Sequence, residues 1–318
     1  MKFNFFVSVA VVALGVAPSV LRGETTQSIR SVQRASLQKA STSVNVRVHN
    51  KAKSSLSNSS SAVLASSGLE ALYGFLEFRP SYNDVQKEAH SENTAEVGYK
   101  MAPNLQVGYV QYYNVNLINS SPTTQGLNLL ANDGFAYFKA KEIWQSPDKH
   151  LSASYQLRLF TPTSQKKFQE GYITSVRNQF LLNYKFNNFV SVDLSYHPIL
   201  HVYNKAGSLD SKGLWQASPS FNHQWIFQPV IHPAANFTFV FPVVYQVTQY
   251  KQFAGAANSQ KWKKSLSFSP ELDYEVNSMH TVGIAFYTES VMSEYGRGFD
   301  FSSGFKTGTA QLVWGINL

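Results

Sequence analysis

The sequence predicts an all-β protein: a closed antiparallel up-and-down transmembrane β-barrel of about twelve strands, preceded by a mostly disordered N-terminal arm. Three observations predict it. Residues 69–318 alternate in character with a period of two, in stretches long enough to cross a bilayer, which takes about 9–11 tilted residues. The gaps between stretches are alternately long and short, as when hairpin turns lie at one end of a barrel and loops at the other. Finally, the chain stops in mid-pattern, at Ala310-Gln-Leu312-Val-Trp314-Gly-Ile316-Asn-Leu318. A strand on the last residue needs a partner, and closure supplies one.

In chain order, residues 1–23 read as a secretory signal, with Lys2 before the apolar run Phe3–Val16 and small residues at Ala17-Pro18-Ser19. That run is too short to span a bilayer as a helix. Residues 24–68 are rich in Ser, Thr, Gln and Ala, and 54–61 are low complexity. Such a segment cannot bury enough apolar surface to offset its ordering entropy, so a disordered periplasmic arm is expected. The barrel domain is 69–318. Its predicted strands are 70–82, 93–102, 105–118, 133–145, 150–162, 172–186, 189–202, 213–227, 236–250, 262–276, 280–290 and 304–318. Tight turns are expected at Ala102-Pro103-Asn104, Ser146-Pro147-Asp148-Lys149, Asn187-Asn188 and Asn277-Ser278-Met279, whose residues suit turn dihedrals. The fifth short gap, 228–235, is longer. This alternation places both termini on the periplasmic side.

The two faces of each strand differ. Val190, Val192, Leu194 and Tyr196 alternate with Ser191, Asp193, Ser195 and His197. Leu266, Phe268, Pro270, Leu272 and Tyr274 alternate with Ser265, Ser267, Ser269, Glu271 and Asp273, and Phe237, Phe239, Phe241, Val243, Tyr245 and Val247 share one face. The apolar faces suit acyl chains and the polar faces a lumen. Tyr99, Trp144, Tyr184, Phe186, Trp225, Phe227, Tyr274 and Trp314 are expected in the periplasmic aromatic girdle. Two strands fit poorly. In 133–145 Lys139 and Lys141 lie on one face and Glu142 on the other, which calls for a bulge or an interfacial charge. In 213–227 His223 falls on the apolar face, which an end-of-strand position would make tolerable.

Composition agrees with this pattern. Charged residues are 14% of the chain, against about 25% in a soluble domain. A mean hydropathy of −0.21 excludes a helical membrane protein, whereas alternating strands hide their hydrophobicity from averages. The absence of cysteine removes disulfides, thiolate metal sites and thiol nucleophiles. The net charge of +8 belongs to the N-terminal region: Lys2, Arg22, Arg30, Arg34, Lys39, Arg47, Lys51 and Lys53 face only Glu24 before residue 69, which leaves the barrel nearly neutral.

Catalytic chemistry finds little support. Asp193-x-x-x-His197 is the best pair, but alternate residues on one strand stand ~6–7 Å apart side by side, a poor relay for activating a nucleophile. The His-x-Ser arrangement of an outer-membrane phospholipase is absent: Trp225 stands two residues after His223, and Ile199 two after His197. Lys261-Trp262-Lys263-Lys264 lies where a strand leaves a long loop and suits lipopolysaccharide phosphates or water better than nucleic acid. No enzyme activity, metal or cofactor is expected. What remains is the lumen, where the period of two places Glu77, Arg79, Glu96, Lys100, Arg158, Arg177, Asp193 and Glu271, with Gln179, Asn183, Lys185, Asp273 and Lys306. A mixed-charge interior can conduct and select, as charged rings do in pores, or can pair across the lumen and close it.

By this architecture, residues 69–318 resemble the small Gram-negative outer-membrane channels, such as the twelve-stranded porins for acidic oligosaccharides or for nucleosides. The last residue is Leu318 rather than Phe, but Trp314-x-Ile316-x-Leu318 keeps the alternating apolar ending. An acidic-sugar porin implies an Arg/Lys-dominated lumen, and this one is mixed. The expectation is an outer-membrane channel passing small hydrophilic solutes, in contact with membrane lipid and lipopolysaccharide, with cell-wall or other anionic material as a partner for the basic arm. A non-conducting structural or surface-binding barrel is the alternative, ahead of a membrane-embedded hydrolase and of a soluble β-sandwich, whose strands would need a second apolar face.

Overall fold

The structure, a computed structural model, describes residues 71–83, 88–118, 129–209, 213–252, 255–256, 262–288, 290–292, 298–306 and 308–318. The expected signal segment and arm lie outside the described residues. The strands are β1 (Leu72–Asn83), β2 (Glu88–Ala102), β3 (Leu105–Ile118), β4 (Leu129–Ala131), β5 (Gly134–Gln145), β6 (Leu151–Thr161), β7 (Tyr172–Lys185), β8 (Val190–Tyr203), β9 (Gly207–Leu209), β10 (Trp215–Ala217), β11 (Pro219–Ala234), β12 (Phe237–Val240), β13 (Val243–Tyr250), β14 (Trp262–Phe268), β15 (Glu271–Glu275), β16 (His280–Tyr287) and β17 (Thr309–Asn317). Two short helices, α1 (Gln165–Gln169) and α2 (Phe301–Lys306), lie in connections at the long-loop end.

Successive staves of the wall pair antiparallel, and β17 returns to β1. The register there runs from Phe75↔Asn317 to Tyr82↔Ala310, and the Leu318 amide donates to the Gly74 carbonyl at 3.0 Å. The sheet therefore has no free edge. β12 with β13 and β14 with β15 each form one stave of the barrel, which gives twelve staves, as the sequence predicts. β4 extends the top of β5 against β3, and β9 pairs with β10 in a separate hairpin in the connection to β11.

Prolines explain the two split staves. Pro229↔Phe241, Pro242↔Ser269 and Pro270↔Phe286 are hydrogen-bonded pairs, which normally exchange two bonds. In each, the proline carbonyl accepts from its partner amide, at 3.0, 3.1 and 2.9 Å, while the reciprocal donor does not exist. Three successive seams of the barrel thus each lack one ladder bond.

The short turns use local side-chain chemistry. Asn187 Oδ1 accepts from the Phe189 and Val190 amides at 2.8 and 2.9 Å. Asn277 Oδ1 accepts from Met279 and His280, both at 2.9 Å. The same asparagine turn therefore closes two hairpins. At the β5–β6 turn the Ser146 hydroxyl donates to Asp148, whose carboxylate also accepts from the His150 amide, and these bonds hold Asp148 below its ordinary pKa.

Several boundaries differ from expectation. β11 runs to Ala234 rather than ending at 227, because Pro229 sits where it loses only one bond and Pro233 near the strand end. The fifth short gap, expected over 228–235, is thus as tight as the others, at 235–236. Trp225 and Phe227 consequently lie mid-strand rather than at the periplasmic girdle. β2 begins at Glu88, so the first outer connection is shorter than predicted. The misfit of Glu142 resolves as a bulge: the β5–β6 register shifts between Ala140 and Trp144, and Glu142 takes φ 47°. The last strand begins at Thr309, not 304. Residues 301–306 form α2, so Lys306 is not a strand residue and has no place on an inner strand face. Phe301 and Phe305 of α2 stack on Phe268, and Phe305 also on Phe286, both of which point outward.

Candidate functional site

The two faces of the wall separate by chemistry. The outward face carries large exposed apolar side chains, among them Leu194, Trp225, Ile284 and Leu312. His223 lies on this face four residues from the start of β11. It satisfies one nitrogen against the Tyr196 hydroxyl at 2.7 Å and stacks with Trp225. The inward face is polar and buried: Gln179, His197 and Gln224 are each 0% exposed.

Cross-strand register puts the predicted charges on this inward face. Glu77 pairs with Thr94 and Arg79 with Glu92; Glu96 pairs with Val110 and Lys100 with Gln106; Arg158 pairs with Arg177, Asn183 with Asp193, and Glu271 with Ala285. Gln179, Lys185 and Asp273 share it.

The structure brings these residues into two separate groups. In the first, Arg79 bonds Glu77 (2.8 and 3.1 Å), Glu271 (2.9 and 3.0 Å) and the Tyr287 hydroxyl (2.6 Å). One guanidinium thus ties β1 to β15 and β16 with two carboxylates, and Asp273 is the third carboxylate of the group. Arginine's planar fork suits such doubled contacts, which lysine cannot make. In the second, Arg158 and Arg177 face each other across β6 and β7 and lie over the rings of Phe135 (4.5 Å) and Phe160 (5.4 Å). Their cations rest on aromatic faces within an inward cluster of Val110, Tyr112, Phe135, Tyr137, Phe160 and Tyr172.

Charge is therefore mixed but divided around the wall. On the staves from β14–β15 through β17 and β1 to β2, the inward carboxylates Glu77, Glu92, Glu96, Glu271, Asp273 and Glu275 outnumber Arg79, Lys100 and Lys263. From β3 round to β13, among the described residues, Lys139, Arg158, Arg177 and Lys185 stand against Asp193 and against Asp133, which lies just before β5 and pairs with Lys167 at 3.3 Å.

Other inward features escaped the sequence reading. Gly98 pairs with Gly108, flanked by Tyr73 and Tyr137. A Cβ on either glycine would collide with a tyrosine ring. The glycines form a trough over which the tyrosine hydroxyls meet, and Tyr137 donates on to Glu96 at 2.6 Å. Ser175 accepts from Tyr172 (2.7 Å) and lies 2.6 Å from His201 Nδ1. This Ser–His contact joins different strands, so no spacing announces it. Asp193 and His197 instead turn apart: Asp193 accepts from Asn183 at 2.6 Å, and His197 Nδ1 lies 3.1 Å from Gln224 Oε1. Among the described residues no group of side chains has the arrangement of a metal site.

No family model matches the sequence, and no curated protein matches it. Solved structures resemble the fold. The NanC porin is 12% identical with a TM-score of 0.46, the match covering 76% of this chain and 98% of that one. The KdgM porin is 6% identical with a TM-score of 0.45, covering 76% and 97%. The outer membrane channel DcaP of Acinetobacter baumannii is 8% identical with a TM-score of 0.40, covering 78% and 96%.

Proposed function

We propose that this chain is an outer-membrane channel for small hydrophilic solutes, with both termini and the basic arm on the periplasmic side. The observation that carries the reading is the inversion of the two faces in a closed sheet: apolar side chains outward, polar and charged ones inward. A soluble barrel has no reason to expose Leu312 at 61% and Ile284 at 58% while burying His197 and Gln224. A lipid solvent rewards that arrangement, because closure leaves no strand edge unpaired in the sheet. Twelve staves enclose more space than the eight that side chains fill, and less than the 16–18 of wide pores. Outer-membrane lipid and lipopolysaccharide are the partners of the outer wall. The arginine-rich and carboxylate-rich sectors of the inner wall give a passing solute opposite charges on opposite sides.

Single-channel conductance of the refolded barrel tests this. Discrete steps from a barrel shown to be folded by its heat-dependent gel mobility are expected. Silence from a folded barrel lacking residues 24–68 would replace the channel by the structural or surface-binding alternative.

A further inference from the structure

We propose that the inner wall from β6 to β13 is a binding track for a neutral polyhydroxylated solute, a mono- or oligosaccharide. This deepens the channel reading and rests on it for entry of the solute into the lumen.

The track is a row of amide and imidazole side chains brought into line by register. Gln156 of β6 pairs with Gln179 of β7, whose Nε2 lies 3.4 Å from His197 Nδ1 on β8. His197 pairs with Gln224 of β11, and Gln224 with Gln246 of β13. Part of the row is bonded within the wall: Gln224 Nε2 donates to Gln246 Oε1 at 3.3 Å, and Gln246 Nε2 to the Thr248 hydroxyl at 3.0 Å. The row passes near the middle of β7 and β8, at the depth of the bilayer core.

The atoms left over select the ligand. Among the described residues, Gln179 Oε1, Asn222 Oδ1, Gln228 Oε1 and Asp193 Oδ2 are buried acceptors without a hydrogen-bond partner. Arg177 Nε and Nη1 and Gln228 Nε2 are buried donors without one. His197 Nε2 is also unpartnered and takes either role, according to tautomer. All these side chains are more than nine-tenths buried. Buried polar groups are almost always bonded, and an unmet one is costly.

A carboxylate carries only acceptors. It would meet Arg177 but leave the oxygens of Gln179, Asn222 and Gln228 orphaned, with Asp193 opposing its charge. An ammonium group would meet those oxygens but leave the N–H groups of Arg177 and Gln228 orphaned, with Arg177 opposing its charge. A hydroxyl donates and accepts at once, so adjacent hydroxyls of a sugar ring satisfy both sets in turn. The Arg177 charge is partly offset by the Phe160 ring beneath it. Barrels of eight strands already have room for one small ligand, and twelve staves enclose more.

The test uses the refolded chain, shown to be folded by heat-dependent gel mobility. In a planar bilayer, glucose, sucrose and maltotriose should lower the single-channel current in a saturable manner. Glucuronate, which has a carboxylate where glucose has a CH2OH group, should need at least several-fold higher concentrations than glucose. Maltotriose should also raise the temperature at which the barrel unfolds on a gel, because a ligand bound only by the folded state stabilises it. Gln179→Met and Gln228→Met should each raise the half-saturating concentration several-fold. Without sugar, Gln228→Met should melt no lower than the natural barrel, since it removes two atoms that have no partner. No saturable effect of any neutral sugar, glucuronate acting below glucose, or an unchanged sugar response in both variants would overturn the site. A silent folded barrel whose melting still rises with maltotriose would keep the site and remove the channel. Steady conductance without any sugar response would keep the channel and remove the site.

Discussion

Arg79 shows how much one inward side chain can hold. It is 3% exposed and makes doubled contacts with two carboxylates on different staves. Removing one partner of a buried ion group leaves the others uncompensated, which costs about 3–5 kcal/mol. Arg79→Met should therefore lower the temperature at which the barrel unfolds on a gel, and adding Glu77→Gln to Arg79→Met should recover part of the loss. Unchanged melting of Arg79→Met would show that water or ions replace the guanidinium. Gly98 makes a different case. Gly98→Val must displace the Tyr73 ring and break the tyrosine contact over the trough, so it should cost more than the same change at exposed Gly298, where an added Cβ meets nothing within 4 Å. Refolding yield measures both. The period of two puts these charges on one face of each strand, because strand geometry alone decides which residues share a face. It could not pair Arg79 with Glu271, which meet through closure of the ring, or Ser175 with His201, which meet through the register of the β7–β8 hairpin.

At the scale of single elements, the proline seam is the weak part of the wall. Pro229, Pro242 and Pro270 each leave one reciprocal bond unmade, in adjacent seams. Local opening follows the density of such bonds. Backbone amides of β12 and β15 should exchange with deuterium sooner than those of β6 and β7, whose register is unbroken from Leu151↔Tyr184 to Phe160↔Ser175. Equal protection in the two regions would show that packing compensates for the missing bonds. The sequence shows these prolines plainly. It does not show that they fall at bonded positions in adjacent seams, since that depends on the register between staves. For the same reason the end of β11 was misplaced: a proline usually ends a strand, but Pro229 faces a partner that can give up one bond. The β5 bulge was foreshadowed by the conflicting faces of Lys141 and Glu142, although only the register locates it between Ala140 and Trp144.

For the whole molecule, the outer wall makes the membrane claim testable. A charge at the lipid midplane of a barrel costs roughly 2–4 kcal/mol, whereas one in the lumen costs little. Leu194→Arg should thus lower folding yield in lipid vesicles sharply, while Ser195→Arg on the opposite face of the same strand should fold and alter conductance instead. If the two variants folded alike, the assignment of faces would be wrong. The sequence by itself determined the fold class, the antiparallel order and the count of staves, because all of these follow from local periodicity and turn chemistry. Tertiary structure alone decided that the inward charges divide into a carboxylate-rich and an arginine-rich sector, that one arginine fastens three staves, and that aromatic rings floor the arginine pair. Those arrangements depend on how far each stave is shifted against the next, a quantity fixed by closure of the ring and carried by no single segment of the chain.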